Sequence, residues 1–114
     1  MSNFKYVNQK LFIEGSSVLN IAKRNKTPFY LYSSSKIKEN YLNFTKSFKS
    51  VKPLVCFAAK ANTNLSILKL LGKLGSGADV VSGGELLKAL HPRLHQRQTL
   101  IFLIVLRSIN LCLL

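Results

Sequence analysis

Pro53-Leu-Val-Cys-Phe-Ala-Ala-Lys60-Ala-Asn62 is an apolar run that ends on a cation. Leu54–Ala59 reads as a strand: it is short, uninterrupted and bounded by Pro53 and Asn62-Thr-Asn64, a turn and helix cap. Alternation along that strand puts Leu54, Cys56, Ala58 and Lys60 on one face. An ammonium held among apolar side chains is costly unless it is paired, neutralised or used. Lys60 therefore has two readings. One is a desolvated amine of lowered pKa that attacks an aldehyde, pyridoxal phosphate being the commonest such partner. The other is a lysine that leaves the strand and carries its charge out to water.

The pattern repeats on both sides of this run. Phe29-Tyr-Leu-Tyr32 reads as an earlier buried strand, set off by Thr27-Pro28, because a residue before proline is pushed out of the helical region. Ser33-Ser-Ser35 offers N-caps. The residues Ile37, Tyr41, Phe44 and Phe48 then recur as one apolar face of a helix. Beyond Lys60, Ile67, Leu68, Leu71 and Leu74 form a second amphipathic helix, stopped by Gly75-Ser-Gly77. Asp79–Ser82 reads as a third strand, and Gly83-Gly84 leads into a helix over Glu85–Leu90. Strand–helix alternation of this kind predicts a parallel sheet covered by helices. An α/β barrel and an open doubly wound sheet both fit, and three units close neither. In a barrel, Lys60 would stand at the C-terminal mouth, where such folds keep their active sites. Ahead of all this, residues 4–25 read as a short strand or hairpin, then a brief helix around Ser17–Arg24.

The chain has 114 residues, enough for at most one small domain. Seventeen Lys and Arg against four acids give a net charge of +13, which raises polyanions as partners. The basic residues are dispersed, however, with no run longer than Lys23-Arg24, so a solvated surface accounts for them and no specific nucleic acid partner is expected. Cys56 and Cys112 do not make a disulfide framework, and Cys56 reads as a small buried hydrophobe. No secretory signal opens the chain, so the cytoplasm is the expected compartment and no membrane partner is expected. His91 and His95 have a ligand-like spacing, but Pro92 breaks the helix between them and no acid supports a site, so no metal is expected.

Three segments together resemble the fold-type III pyridoxal-phosphate decarboxylases, which share a barrel with alanine racemase. They are Thr27-Pro-Phe-Tyr-Leu-Tyr-Ser33, Cys56-Phe-Ala-Ala-Lys-Ala-Asn62 and Leu70-Leu-Gly-Lys-Leu-Gly-Ser-Gly-Ala-Asp-Val-Val-Ser-Gly-Gly-Glu-Leu86. Within that family the likeness is to the diaminopimelate decarboxylases, which convert meso-diaminopimelate to L-lysine and carbon dioxide in lysine biosynthesis. The resemblance runs from about residue 4 to residue 90. It implies an α/β fold: the N-terminal part of a pyridoxal phosphate-binding (β/α)8 barrel, about three units, incomplete. It implies pyridoxal 5'-phosphate as cofactor, an amino acid as substrate and a homodimer for the intact family. By the resemblance, Lys60 is the catalytic lysine that forms the internal aldimine. Asp79 matches an acidic residue on the next strand that can pair with the lysine; by itself it also reads as a cap. Ser82, Gly83 and Gly84 match the turn after that strand.

The resemblance also divides the chain. Residues 1–26 match a leading segment that in the family packs with a C-terminal β-domain. Residues 27–90 match part of the barrel. From His91 on the likeness stops, and residues 86–114 contain no acid. A tail of 91–114 read in a shifted frame is the expectation there, with a fourth strand conceivable at 100–106. The family's phosphate-binding loop, its partner for the pyridine nitrogen and its ring-stacking histidine have no counterpart. The expectation is a truncated protein, inactive and poorly soluble alone. The alternatives are a non-catalytic pyridoxal phosphate-binding protein and a basic nucleic acid-binding fragment.

Overall fold

A computed structural model describes residues 3–48, 50–51, 53–91 and, for the backbone alone, 101–103. The chain divides into two compact units, Met1–Leu42 and Asn43–Leu114.

The first unit opens with an antiparallel sheet. Strands β1 (Phe4–Val7), β2 (Lys10–Ile13) and β3 (Ser16–Ser17) lie in chain order. Register pairs Val7 with Lys10 and Ile13 with Ser16, so each connection is a two-residue turn. Asn8 and Gln9 have φ of 48° and 60°; Glu14 and Gly15 have 47° and 82°. Positive φ at both turn residues matches the right-handed twist of the flanking strands. Helix α1 (Val18–Arg24) follows, with the Ser17 hydroxyl accepting from the Asn20 N–H at 3.5 Å. The hairpin and short helix foreseen over residues 4–25 are both present.

Helix α2 (Ser34–Ser47) begins at the serine run. The Ser33 hydroxyl accepts from the Lys36 N–H at 3.0 Å, an N-cap bond. Glu14 reaches the same helix start: its carboxylate accepts from the Ser35 N–H at 2.8 Å and from the Ser33 and Ser34 hydroxyls at 2.5 and 3.2 Å. The Asn3 side-chain amide donates to Ser33 Oγ at 2.6 Å. These bonds fasten the start of α2 to the hairpin within the first unit.

The second unit carries the parallel sheet: β4 (Cys56–Ala58), β5 (Gly77–Val80) and β6 (Ile101–Leu103), in chain order. Cys56 pairs with Gly77, Ala58 with Asp79, and Val80 with Leu103. Between β4 and β5 run a single 3-10 turn (Ala59–Ala61) and α3 (Leu65–Lys73). Asn64 caps α3, its side chain accepting from the Ser66 N–H at 2.9 Å. At the other end Gly75, with φ +93°, donates to the Gly72 carbonyl, and Ser76 donates to the Leu71 carbonyl. This pair of bonds is the Schellman arrangement, which the left-handed φ of Gly75 permits. Helix α4 (Gly83–Ala89) follows β5.

Phe57, Ala78 and Val80 face α3 and α4. Ala59, Leu68, Ala78, Val80 and Ala89 form the core, with Phe57 and Leu86 packed on it. Val80 is fully buried. Sheet and helices bury one face of β4 and β5 between them, the α/β arrangement foreseen from the alternation.

The strands are shorter than the apolar runs, and one is missing. Phe29-Tyr-Leu-Tyr32 pairs with no strand among the described residues. Its side chains still alternate, Phe29 and Leu31 half-buried, Tyr30 and Tyr32 exposed. Period-two patterning thus survives, but a strand exists only with a hydrogen-bonded neighbour. The face of α2 also differs from expectation: Ile37 and Tyr41 are half-buried, whereas Phe44 and Phe48 stand exposed and meet each other with ring centroids 5.1 Å apart. The strand conceivable at 100–106 is present as β6. The remainder of the tail reading, 92–100 and 104–114, lies outside the described residues, as does His95. Among the described residues no helix is long and apolar enough to cross a membrane, and no three His, Cys, Asp or Glu side chains group as a metal site.

Candidate active site

The face of the parallel sheet away from the helices carries Cys56 and Ala58 on β4 and Asp79 on β5. In-register parallel pairing puts paired residues on the same side, so Ala58 and Asp79 share that face. All three are half-buried. One carboxylate oxygen of Asp79, Oδ1, is buried with no hydrogen-bond partner among the described residues. A buried acceptor of this kind is expected to be satisfied by something, and each exception calls for an explanation.

Cys56 registers the same carboxylate. Burial pushes its thiol pKa up, and the negative charge of Asp79 adds to the rise by disfavouring a second anion. The thiol is thereby held protonated, consistent with the packing role read from sequence.

Lys60 sits just beyond this face. The strand ends at Ala58, and the 3-10 turn takes Ala59 inward to the core and Lys60 outward. Lys60 is exposed, and one expectation needs correction. It does not continue the alternation of Leu54, Cys56 and Ala58, because the turn replaces strand geometry at Ala59. Of the two readings, its exposure fits the lysine that leaves the strand and carries its charge out to water. Lys60 and Asp79 nonetheless lie at the same, C-terminal, end of two hydrogen-bonded strands, Lys60 two residues beyond the partner of Asp79.

The β5–α4 connection closes this end. Ser82 caps α4, accepting from the Glu85 N–H at 3.2 Å, and Glu85 Oε2 accepts from the Val81 N–H at 2.9 Å. The two bonds are reciprocal, as in a capping box displaced by one residue. Glu85 therefore serves the helix start. Gly83 and Gly84 lie within the first turn of α4, and nothing stands within 4 Å of where a side chain would begin. They leave this end of the helix without side chains, in open space. Only the structure revealed that Glu85 bonds back to Val81, although Ser-x-x-Glu spacing signals such a cap.

A primary amine with a half-buried carboxylate of unmet acceptor near it, on adjacent strand ends, suits a ligand bearing an aldehyde. The placement of this pair at the C-terminal end of a parallel sheet makes it a candidate cofactor site on an α/β fold. The chain belongs to the pyridoxal-dependent decarboxylases: the family model for their pyridoxal binding domain matches residues 34–105, past the break placed at Leu90. The cofactor of that family is pyridoxal phosphate.

Its relatives are diaminopimelate decarboxylases. One from Helicobacter pylori strain J99 is 62% identical over 65 residues, covering 57% of this chain and 16% of the relative. Another from Pseudomonas fluorescens is 46% identical over 90 residues, covering 79% and 22%. The crystal structure of the M. jannaschii enzyme in complex with L-lysine superposes with a TM-score of 0.72 at 40% identity, covering 77% of this chain and 22% of that one. The α/β architecture is therefore part of the pyridoxal phosphate-binding barrel, without closure. The chain spans about a fifth of the length of these relatives.

Proposed function

We propose that this chain carries the lysine-bearing segment of a decarboxylase that converts meso-diaminopimelate to L-lysine and carbon dioxide. The observation that carries the reading is the pairing of β4 with β5, which brings the Lys60 turn and the unpartnered Asp79 oxygen to one end of the sheet. Lys60 would hold pyridoxal phosphate through its side-chain nitrogen. Asp79 would bind at the cofactor as well, its free oxygen placed to accept a hydrogen bond from the lysine. Ala58, between them on the sheet face, leaves room for a flat ring. Pyridoxal phosphate, when bound, supplies an electron sink for the charge left by departing carbon dioxide.

The residues that read the far end of the substrate are not among those matched to the family motifs, so the choice of diaminopimelate rests on the relatives. Assembly as a homodimer and residence in the cytoplasm belong to the same reading. So does the organisation of residues 27–90 as the partial barrel, with 1–26 leading into it; β6 and the family match to residue 105 carry the barrel part into the segment first set apart as 91–114.

The test is covalent labelling. The full chain is incubated with pyridoxal phosphate, reduced with borohydride, digested and mapped by mass spectrometry. Selective label on Lys60, lost in Lys60→Ala and weakened in Asp79→Ala, is the expected result. Label on Lys60 no greater than on the exposed Lys69 and Lys73 would overturn the reading.

A further inference from the structure

Lys60 is flanked on both sides by attachments to α4. The 3-10 turn that carries it lies against that helix. Ala59, the residue before Lys60, is buried in the same core as Ala89 of α4. Beyond Lys60, the Thr63 hydroxyl oxygen accepts from the Lys88 ammonium at 3.3 Å, and Lys88 is the neighbour of Ala89 in the last turn of α4. The segment 59–63 is thus held at its two ends by one stretch of helix, with Lys60 between them.

Other bonds of this segment are local. The Asn62 N–H donates to the Ala59 carbonyl at 3.1 Å, and Asn62 Oδ1 accepts from the Asn64 N–H at 3.0 Å. They shape the turn without fixing where it stands against the rest of the unit. Lys88 reaches it from 25 residues away. A lysine in the last turn of a helix ordinarily serves the negative end of the dipole and stays in water. Here the ammonium donates to the connection that follows β4, although its helix follows β5. At its first turn the same helix holds the end of β5, through the bond from the Val81 N–H to Glu85. One helix therefore touches the chain just after Asp79 and just after Lys60.

We propose that Lys88 is a positioning residue for Lys60, its bond to Thr63 fixing the lysine-bearing turn on α4. Lys60 is exposed and its stem is flexible, so the place its nitrogen can reach is set by where its backbone stands. Lys88 has no contact with the cofactor in this role and acts through the turn alone. The inference rests on the reading of Lys60 as the lysine that takes pyridoxal phosphate.

The experiment treats the full chain with pyridoxal phosphate and borohydride and reads the ratio of label on Lys60 to label on the exposed Lys69 in one digest. The ratio should fall about two- to ten-fold in Lys88→Met and in Thr63→Val, the range that one hydrogen bond covers. Lys88→Met keeps the apolar stem and loses the donor, whereas Lys88→Arg still donates and should recover the ratio. The double variant Lys88→Met/Thr63→Val should fall no further than either single one, because both remove the same bond. Leu87→Ala, next to Lys88 and 72% exposed, should leave the ratio unchanged. A ratio unaltered by Lys88→Met, no recovery in Lys88→Arg, or a double fall equal to the product of the single falls overturns the proposal and leaves the cofactor reading standing. Equal label on Lys60 and Lys69 in the wild-type chain overturns both.

Discussion

Val80→Ala tests whether the second unit is consolidated around β5. Val80 has no exposed surface and packs with Ala59, Leu68, Ala78 and Ala89, most of them small. Truncation removes two carbons, about 1.6 kcal/mol at ~0.8 kcal/mol per buried methylene. The neighbours that would have to collapse into the space are held by β5 pairing on both sides and by α3 and α4, so a cavity term adds to this, for a total of about 2–3 kcal/mol. Domains have about 5–15 kcal/mol in all. The effect reaches the site, because Val80 and Asp79 are consecutive and point to opposite faces of one strand. Urea unfolding followed by circular dichroism should show a midpoint lower by roughly 1–3 M, with urea slopes of about 1–3 kcal/mol/M. Leu87→Ala is the control: Leu87 is 72% exposed, and its loss should cost within about 0.5 kcal/mol. Equal midpoints for the two variants would refute the packing argument, since they would mean that burial at Val80 contributes nothing beyond an exposed leucine.

Three further predictions address other elements. The Glu14 carboxyl is held down to about 2 by the Ser33 hydroxyl first and the Ser35 N–H next. A depressed carboxyl contributes stability that is full above its ordinary value of 4.5 and lost as pH falls through about 2, so the gap in melting temperature between wild type and Glu14→Gln should be widest near neutrality and close in acid. Ser82→Ala removes the N-cap of α4 and should cost about 1 kcal/mol in the same urea assay, with Ser82→Asn close to wild type. At neutral pH the Cys56 thiol should alkylate more slowly than a free thiol, as followed by peptide mass mapping with iodoacetamide. Asp79→Asn should speed it by removing the nearby negative charge, and an unchanged rate would show that the two groups do not sense each other.

The sequence determined the local elements whose cause is local. Ser17, Ser33, Asn64 and Ser82 are caps because a short polar side chain can bond the first free N–H groups of a helix, and Gly75 ends α3 because it tolerates the left-handed turn there. The order of strands and helices after Pro53, and the face shared by Cys56 and Ala58, were legible from apolar runs and period-two alternation. Tertiary structure alone decided the rest. Phe29–Tyr32 has strand patterning but no partner among the described residues, and pairing is a property of two segments. Lys60 is set by a 3-10 turn that no periodicity announces, and it is exposed where the apolar run suggested burial. Glu14 reaches twenty residues along the chain to the start of α2, an attachment that depends on how a two-residue turn aims its side chain. The unmet oxygen of Asp79 is likewise visible only once β5 lies beside β4, because burial is a property of neighbours in space rather than of spacing along the chain.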